Sequence, residues 1–239
     1  MSGLTKWGMS FNVAKCKIIH VGRNNPGYAY FMNGTQLATT DEERDIGVVI
    51  SKSLKPASQC NIAAGRTTTV LNQIKRNFHF RDRNTCFKLY KQYVRPHLEF
   101  AGPAWAPWLK SDIEVLEKVQ EKAVKMVSGL RSKEYADRCA ELGLETLEQR
   151  RQNQDMGLVY KLLNGEEESN LFTLANRPGA VRTRQTAGTK SLVAKFARTD
   201  QRKFSFSVRT VEKWNGLPET SKQAATQDGF KRSLKQTRQ

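Results

Sequence analysis

The sequence predicts an α+β chain that is mainly α: a short antiparallel β-hairpin platform, then a three-helix bundle, then further helices. Three observations predict it. Asn33-Gly34 sits between short strand-like runs, and Asn-Gly is the strongest short-range hairpin signal. Residues 81–108, RDRNTCFKLYKQYVRPHLEFAGPAWAPW, place Cys86, Leu89, Tyr90, Tyr93, Val94 and His97 on one helical face, with Arg83, Lys88, Lys91 and Arg95 largely off it. Residues 111–127 place Ile113, Leu116, Val119, Gln120, Ala123, Val124 and Val127 on a second stripe, opened by Ser111-Asp112 and closed by Gly129.

Each element follows from local chemistry. Leu4, Trp7 and Gly8-Met9 read as a helix end, like the last turns of something longer. Residues 15–22, KCKIIHVG, alternate as a strand buried on both faces. Residues 24–27, NNPG, are a turn, 28–32 a short strand, and 46–50, IGVVI, another. Residues 15–51 therefore read as three or four short antiparallel strands, too few to stand alone. A helix runs from about 53 to 77 on Cys60, Ala63, Ala64, Val70, Leu71 and Ile74. Pro96 is expected to stop the next helix, because proline lacks an N–H and restricts the residue before it. Residues 134–142 and 146–164 are further helices, each ended by glycine. Residues 166–203 are poor in apolar side chains and read as a basic flexible linker. Phe206, Val208, Val211 and Trp214 can pack again, and 228–236 forms a last helix with Phe230 and Leu234. The expected divisions are 1–52, 53–130, 131–165, 166–203 and 204–239.

Charge is the main compositional fact. The 239 residues hold 40 basic and 23 acidic side chains, a net charge of +17. Such an excess points to a polyanionic partner, nucleic acid before an anionic membrane. Residues 52–110 carry 11 basic and 2 acidic side chains, and 171–239 carry 15 and 4; residues 111–170 are acidic, with 9 and 13. Two cationic segments thus flank an acidic one. Cys16, Cys60, Cys86 and Cys139 are scattered with no C-x-x-C pair, so neither a zinc knuckle nor a disulfide framework is indicated. Cys16 and His20, though four apart, read as structural, as do His79 and His97. Reduced thiols, no membrane-length apolar run and no signal-peptide layout lead to the expectation of an intracellular protein, nuclear or cytoplasmic and not secreted.

The ordered series KWGMSFNVAKCKIIHVG, YAYFMNG, ERDIGVVIS, LYKQYVRPHLEFAGPAWAPW, LEKVQEKAVKMVSG and FSFSVRTVEKWNGLPE resembles the C-terminal part of reverse transcriptases of non-LTR (LINE-like) retrotransposons. The likeness covers nearly the whole chain. It implies the end of a palm and its primer grip over 1–52, a thumb-like bundle over 53–130 and a C-terminal extension. It places Lys15 as the lysine after the catalytic turn, near the incoming triphosphate, and Ile46, Gly47 and Val48 at the centre of a primer-grip-like hairpin. One departure is decisive for activity. These polymerases hold two Mg²⁺ ions with paired aspartates in an F/Y-x-D-D turn, and no such turn occurs here. Residues 41–45, DEERD, do not replace it.

The expectation is thus a truncated RNA-directed DNA polymerase, a remnant or fragment that binds a nucleic-acid backbone without polymerising. No metal site and no cofactor are expected; Mg²⁺ belongs to the full-length enzyme. Arg66, Lys75, Arg76, Lys88, Lys91 and Arg95 are the candidate phosphate contacts on an RNA–DNA hybrid or duplex. Without the rest of the palm, Lys15 reads better as a solvated charge. Trp105 and Trp108 either stack on bases or, as the favoured reading, plug the gap between helices; Tyr90 and Tyr93 read as core. The alternative is a non-catalytic interaction module or a non-functional retroelement-derived reading frame with an inherited basic surface. An independent DNA-binding protein fits less well, for want of a helix-turn-helix or zinc signature.

Overall fold

The computed structural model describes residues 8, 10–22, 24–79, 82–165, 170–175 and 190–236. It is an α+β, mainly α fold, and its contacts divide the chain into two compact units, Met1–Gln59 and Cys60–Gln239. The helix end expected at Leu4 and Trp7 lies outside the described residues.

In the first unit, β1 (Lys17–Ile18) pairs in parallel with β4 (Ala38–Thr39). Between them, β2 (Phe31–Met32) and β3 (Thr35–Gln36) form the expected hairpin, with Asn33 and Gly34 at φ of 51° and 75°. A second hairpin joins β5 (Glu42–Asp45) to β6 (Val48–Ser51) through Ile46 and Gly47, at φ of 42° and 89°. Positive φ at both central residues suits the twist of the flanking strands. Asparagine and glycine tolerate it, but a β-branched isoleucine there is strained. Ile46 and Gly47 are therefore the turn itself, and the strand expected from Ile46 starts only at Val48. Two further expectations change. One of the three pairings is parallel. The strand expected over 15–22 shrinks to two residues, with Lys17 exposed, because no second layer stacks on it within this unit. Leu37 and Pro56 are the only buried aliphatic or aromatic side chains among the described residues up to 59.

Helix α1 (Ala57–Asn77) starts just after Pro56. Helix α2 (Arg83–Leu89) is capped by Asp82, whose carboxylate accepts from the backbone N–H of Asn84 (2.9 Å) and Thr85 (3.0 Å). Pro96 does not stop this helix. A π turn over Tyr90–Val94 leads directly into α3 (Arg95–Glu99), and the Arg95 N–H bonds the Tyr90 carbonyl five residues back. The wider turn makes room for a proline ring that would otherwise strike the preceding turn. It also shifts the helical phase. Tyr90, Val94 and Leu98 point inward, while Tyr93 is 55% exposed and His97 is exposed, contrary to the simple stripe. His79 is exposed as well.

The segment after α3 is not a plain loop. It holds α4 (Gly102–Trp105), in which Trp105 is buried and its indole N–H donates to the Phe100 carbonyl at 2.7 Å. Helix α5 (Lys110–Lys125) follows and buries Leu116, Val119, Gln120, Ala123 and Val124 as its stripe predicts. Leu71 of α1, Tyr90 and Val94 of the π turn and Ala123 of α5 form one apolar cluster, which is the expected three-helix bundle. Helix α6 (Tyr135–Leu142) ends at Gly143 in the left-handed region, and Leu142 joins Val124, Val127 and Leu130 in a second cluster.

Helix α7 (Leu147–Leu163) carries a further cluster. Met156, Val159 and Tyr160 meet Leu192, Val211, Trp214, Phe230 and Leu234. Val211 and Trp214 come from α9 (Phe206–Asn215) and Phe230 and Leu234 from α11 (Gln227–Gln236), flanked by α8 (Asp200–Lys203) and α10 (Glu219–Lys222). The linker expected over 166–203 falls partly outside the described residues. Part of what is described is packed: Leu192 is fully buried and pairs with Leu174 as an isolated β-bridge, whereas Phe196 is 87% exposed. Asn215 explains this. Its side-chain amide accepts from the Leu192 N–H and donates to the Leu192 carbonyl, both at 2.9 Å, and so acts as a strand partner. The Trp214 indole donates to the Lys190 carbonyl at 2.8 Å beside it. Composition misled here, because few apolar residues suffice when a side chain satisfies the backbone.

Gln120 is fully buried and joins α5 to the π turn, to α6 and to the start of α7. Replacing it with leucine keeps the volume and leaves the Tyr90 hydroxyl and the Glu145 carbonyl without this partner. We expect Gln120→Leu to lose about 3 kcal/mol of stability, read as a lower midpoint in urea denaturation; a midpoint equal to wild type would refute the network's importance.

Candidate nucleic-acid interface

A cationic site lies between α1 and the C-terminal end of α5. Thr68, Leu71, Asn72 and Lys75 form one wall; Lys122, Lys125 and Met126 form the other, and the turn through Ser128, Gly129 and Arg131 closes one end. The cleft has a volume of about 730 Å³. Four cations line it, and among the described residues no acidic side chain does. Local structure explains the convergence. Lys75 is in the last turn of α1, and Lys122 and Lys125 are in the last turn of α5. Cations there also offset the negative end of a helix, roughly half a charge per helix. Two helix ends cancel about one of the four charges, so a net field of about +3 remains.

Only one of the sequence-proposed contacts, Lys75, lines this cleft. Arg66 and Arg76 are exposed on α1, and Lys88 is exposed on α2, outside its lining. Lys91 lies 3.7 Å over the Phe87 ring. Arg95 is half-buried, with its Nε 3.7 Å from Glu99. Its neighbour Arg150 binds both Glu99 carboxylate oxygens. Arg95 therefore belongs to an internal ion cluster more than to an open phosphate grip. Lys122, Lys125 and Arg131 were missed. They sit in the segment whose average charge is acidic, yet its acids are placed elsewhere. Asp112 is buried, Glu117 accepts from Tyr135 (2.7 Å) and from the Glu148 N–H (2.9 Å), and Glu141 binds Lys133 (2.6 Å). The i, i+3 spacing of Lys122 and Lys125, just off the apolar stripe of α5, was the available signal.

The other candidates sort as follows. Lys15 is exposed at the end of a single 3-10 turn, Val13–Lys15. Ile46 is 89% exposed at the tip of its hairpin, with Gly47 and Val48 behind it half-buried. Trp105 is a core plug, whereas Trp108 stacks on Phe204, with ring centres 5.4 Å apart and planes 4° from parallel. Burial pushes the Cys60 thiol up to about 12, with Asp112 adding to the shift, so this cysteine is a packing residue. Burial also raises Cys139.

Comparison with protein-family models, curated proteins and solved structures found no match to this chain. Among the described residues, no helix is long and apolar enough to cross a membrane.

Replacing Lys122, Lys125 and Arg131 with glutamine removes three of the four cleft charges without touching the core. The triple variant is expected to elute from heparin at clearly lower salt, with an unchanged melting temperature; elution at the wild-type position would dismiss the cleft as a polyanion site.

Proposed function

We propose that this chain is a reverse-transcriptase-derived, nucleic-acid-binding piece that grips the phosphate backbone through the α1/α5 cleft and does not polymerise by itself. The observation that carries the binding is the convergence of Lys75, Lys122, Lys125 and Arg131 with no acid among them. Among the described residues no aromatic side chain lines the cleft, so the contacts are to phosphates and give little sequence readout. The origin is supported by the ordered motifs of the sequence and by two of them taking hairpin form, at Asn33-Gly34 and at Ile46-Gly47. Lack of polymerisation follows from chemistry. Without paired aspartates for two Mg²⁺ ions, nothing in this sequence activates a 3′-hydroxyl in that family's manner.

Binding of an RNA–DNA hybrid is expected to weaken with salt, with a log–log slope of about −3 to −4 for four phosphate contacts. The same preparation should add no nucleotide to a primer with Mg²⁺ or Mn²⁺. Salt-independent affinity, or no binding at low salt, would overturn the first part; primer extension would overturn the second.

A second reading, a non-catalytic interaction module or a non-functional retroelement reading frame, is favoured by the surface of the first unit. Phe11, Tyr28, Tyr30, Phe31 and Ile46 are each more than half exposed there. A small unit with that many exposed large apolar groups presents a face for other protein, and its short strands leave open edges. Hydrogen exchange is expected to be rapid over 15–51 and slow over 57–127. Strong protection over 15–51 in the monomer would argue against an unsatisfied face.

A further inference from the structure

The cationic groups outside the α1/α5 cleft gather at a second place. A groove of about 520 Å³ runs between α7 and α11, lined by Arg150, Lys161, Lys231 and Lys235, with Glu145 as its acidic member. It shares no lining residue with the first cleft. Helix geometry builds it. Phe230 and Leu234 turn into the core, which leaves Lys231 and Lys235, one helical turn apart, on the groove side of α11. Gly157 and Leu158 on α7 lie between Gln154 and Lys161 in the groove wall, and Gly157 adds no side chain to it.

The charge here is incompletely compensated. Arg150 is satisfied by Glu99 and lies 3.8 Å from Glu145. Lys231 has only an exposed contact with Asp228 at 3.7 Å, of a kind worth little in water. Lys161 and Lys235 line the groove with no acidic partner within 4 Å among the described residues. The crowding extends to Lys91. Its ammonium is pushed below its ordinary value by desolvation and then by Arg95, Arg150 and Lys235. Cations that depress one another in this way are relieved by a bound anion. Among the described residues no aromatic ring lines the groove, so it offers phosphate contacts rather than base stacking.

We infer that the α7/α11 groove is a second phosphodiester-binding site, so that one chain holds two nucleic-acid segments at once. This rests on the reading of the chain as a nucleic-acid binder and adds to it a bridging capacity. The ligand is a phosphodiester backbone rather than an acidic protein surface. Spaced lysines with rotatable ammonium groups match a regular line of phosphates as point charges.

The test counts bound segments. A hybrid of about 12 base pairs, long enough for several phosphate contacts and short enough that each duplex fills one site, is titrated into the full chain at low salt, and the stoichiometry is read by native mass spectrometry. Two hybrids per chain are expected for wild type. One is expected for Lys231→Gln/Lys235→Gln and one for Lys122→Gln/Lys125→Gln/Arg131→Gln; combining the two sets should leave none. Energy transfer between donor-labelled and acceptor-labelled hybrids should appear with wild type and vanish with either set. Lys231 and Lys235 are exposed, so unchanged thermal melting separates a lost site from a lost fold. One hybrid on wild type, lost only with the α5 set, would overturn the second site and leave the first standing. No hybrid on wild type would remove both. Displacement of the second hybrid by polyglutamate as readily as by unlabelled hybrid would overturn the phosphodiester assignment.

Discussion

The helical unit depends on one side chain amide, that of Gln120. Its direction is settled by its partners. The Glu145 carbonyl can only accept, so Nε2 must face it at 3.0 Å, and Oε1 must take the proton of the Tyr90 hydroxyl. The second Nε2 proton then goes to the Tyr135 hydroxyl at 2.9 Å, which passes its own proton to Glu117. Glu117 in turn accepts from the Glu148 N–H in the first turn of α7. One oriented chain of hydrogen bonds thus ties the π turn, α5, α6 and α7. Burial raises both tyrosine hydroxyls above their ordinary range and keeps them protonated for this role. A half-satisfied network of this kind would cost more than an apolar core, which makes its completeness the constraint.

A second polar clamp holds the C-terminal helices. Arg209 donates to both oxygens of Asp155, at 2.9 and 2.8 Å, and to the carbonyls of Phe204 and Pro103. A buried pair is tolerable when its remaining hydrogen-bonding groups are also used, as they are here. Asn215 and Trp214 pin the strand at Leu192, and the buried Lys222 ammonium is held by the Asn215 carbonyl and Glu219. Arg209, Trp214 and Asn215, in the most motif-like stretch near the end of the chain, are therefore occupied in architecture, while the apolar faces of α5 and α11 leave Lys122, Lys125, Lys231 and Lys235 exposed.

Much of the secondary structure was legible before any coordinates. The α5 stripe is buried as read, Asn33-Gly34 turns a hairpin, and Gly143 ends α6. Several readings failed for identifiable reasons. Pro96 is absorbed by a π turn, which one-dimensional periodicity cannot anticipate, and Tyr93 and His97 therefore face outward. Residues 190–193 are packed because an asparagine side chain serves as their strand partner, which composition does not register. Of the cations proposed from the sequence, only Lys75 lines the α1/α5 cleft; Lys122, Lys125 and Arg131 line it too, but belong to a segment whose acids lie on other surfaces.

By itself the sequence determined the class of fold, the buried face of α5, the net charge and the lack of a paired-aspartate turn, since these depend on residues near one another or on simple counts. Tertiary structure alone decided which charges act together. Electrostatic interactions fall off over about 10 Å in salt, so a cation's partner is set by distance in space. Lys75 and Arg131 are far apart in the chain and share a cleft; Arg95 was read as open and is tied to Glu99. The same physics separates the cleft of α1 and α5 from the groove of α7 and α11, a distinction that segment-averaged charge cannot make.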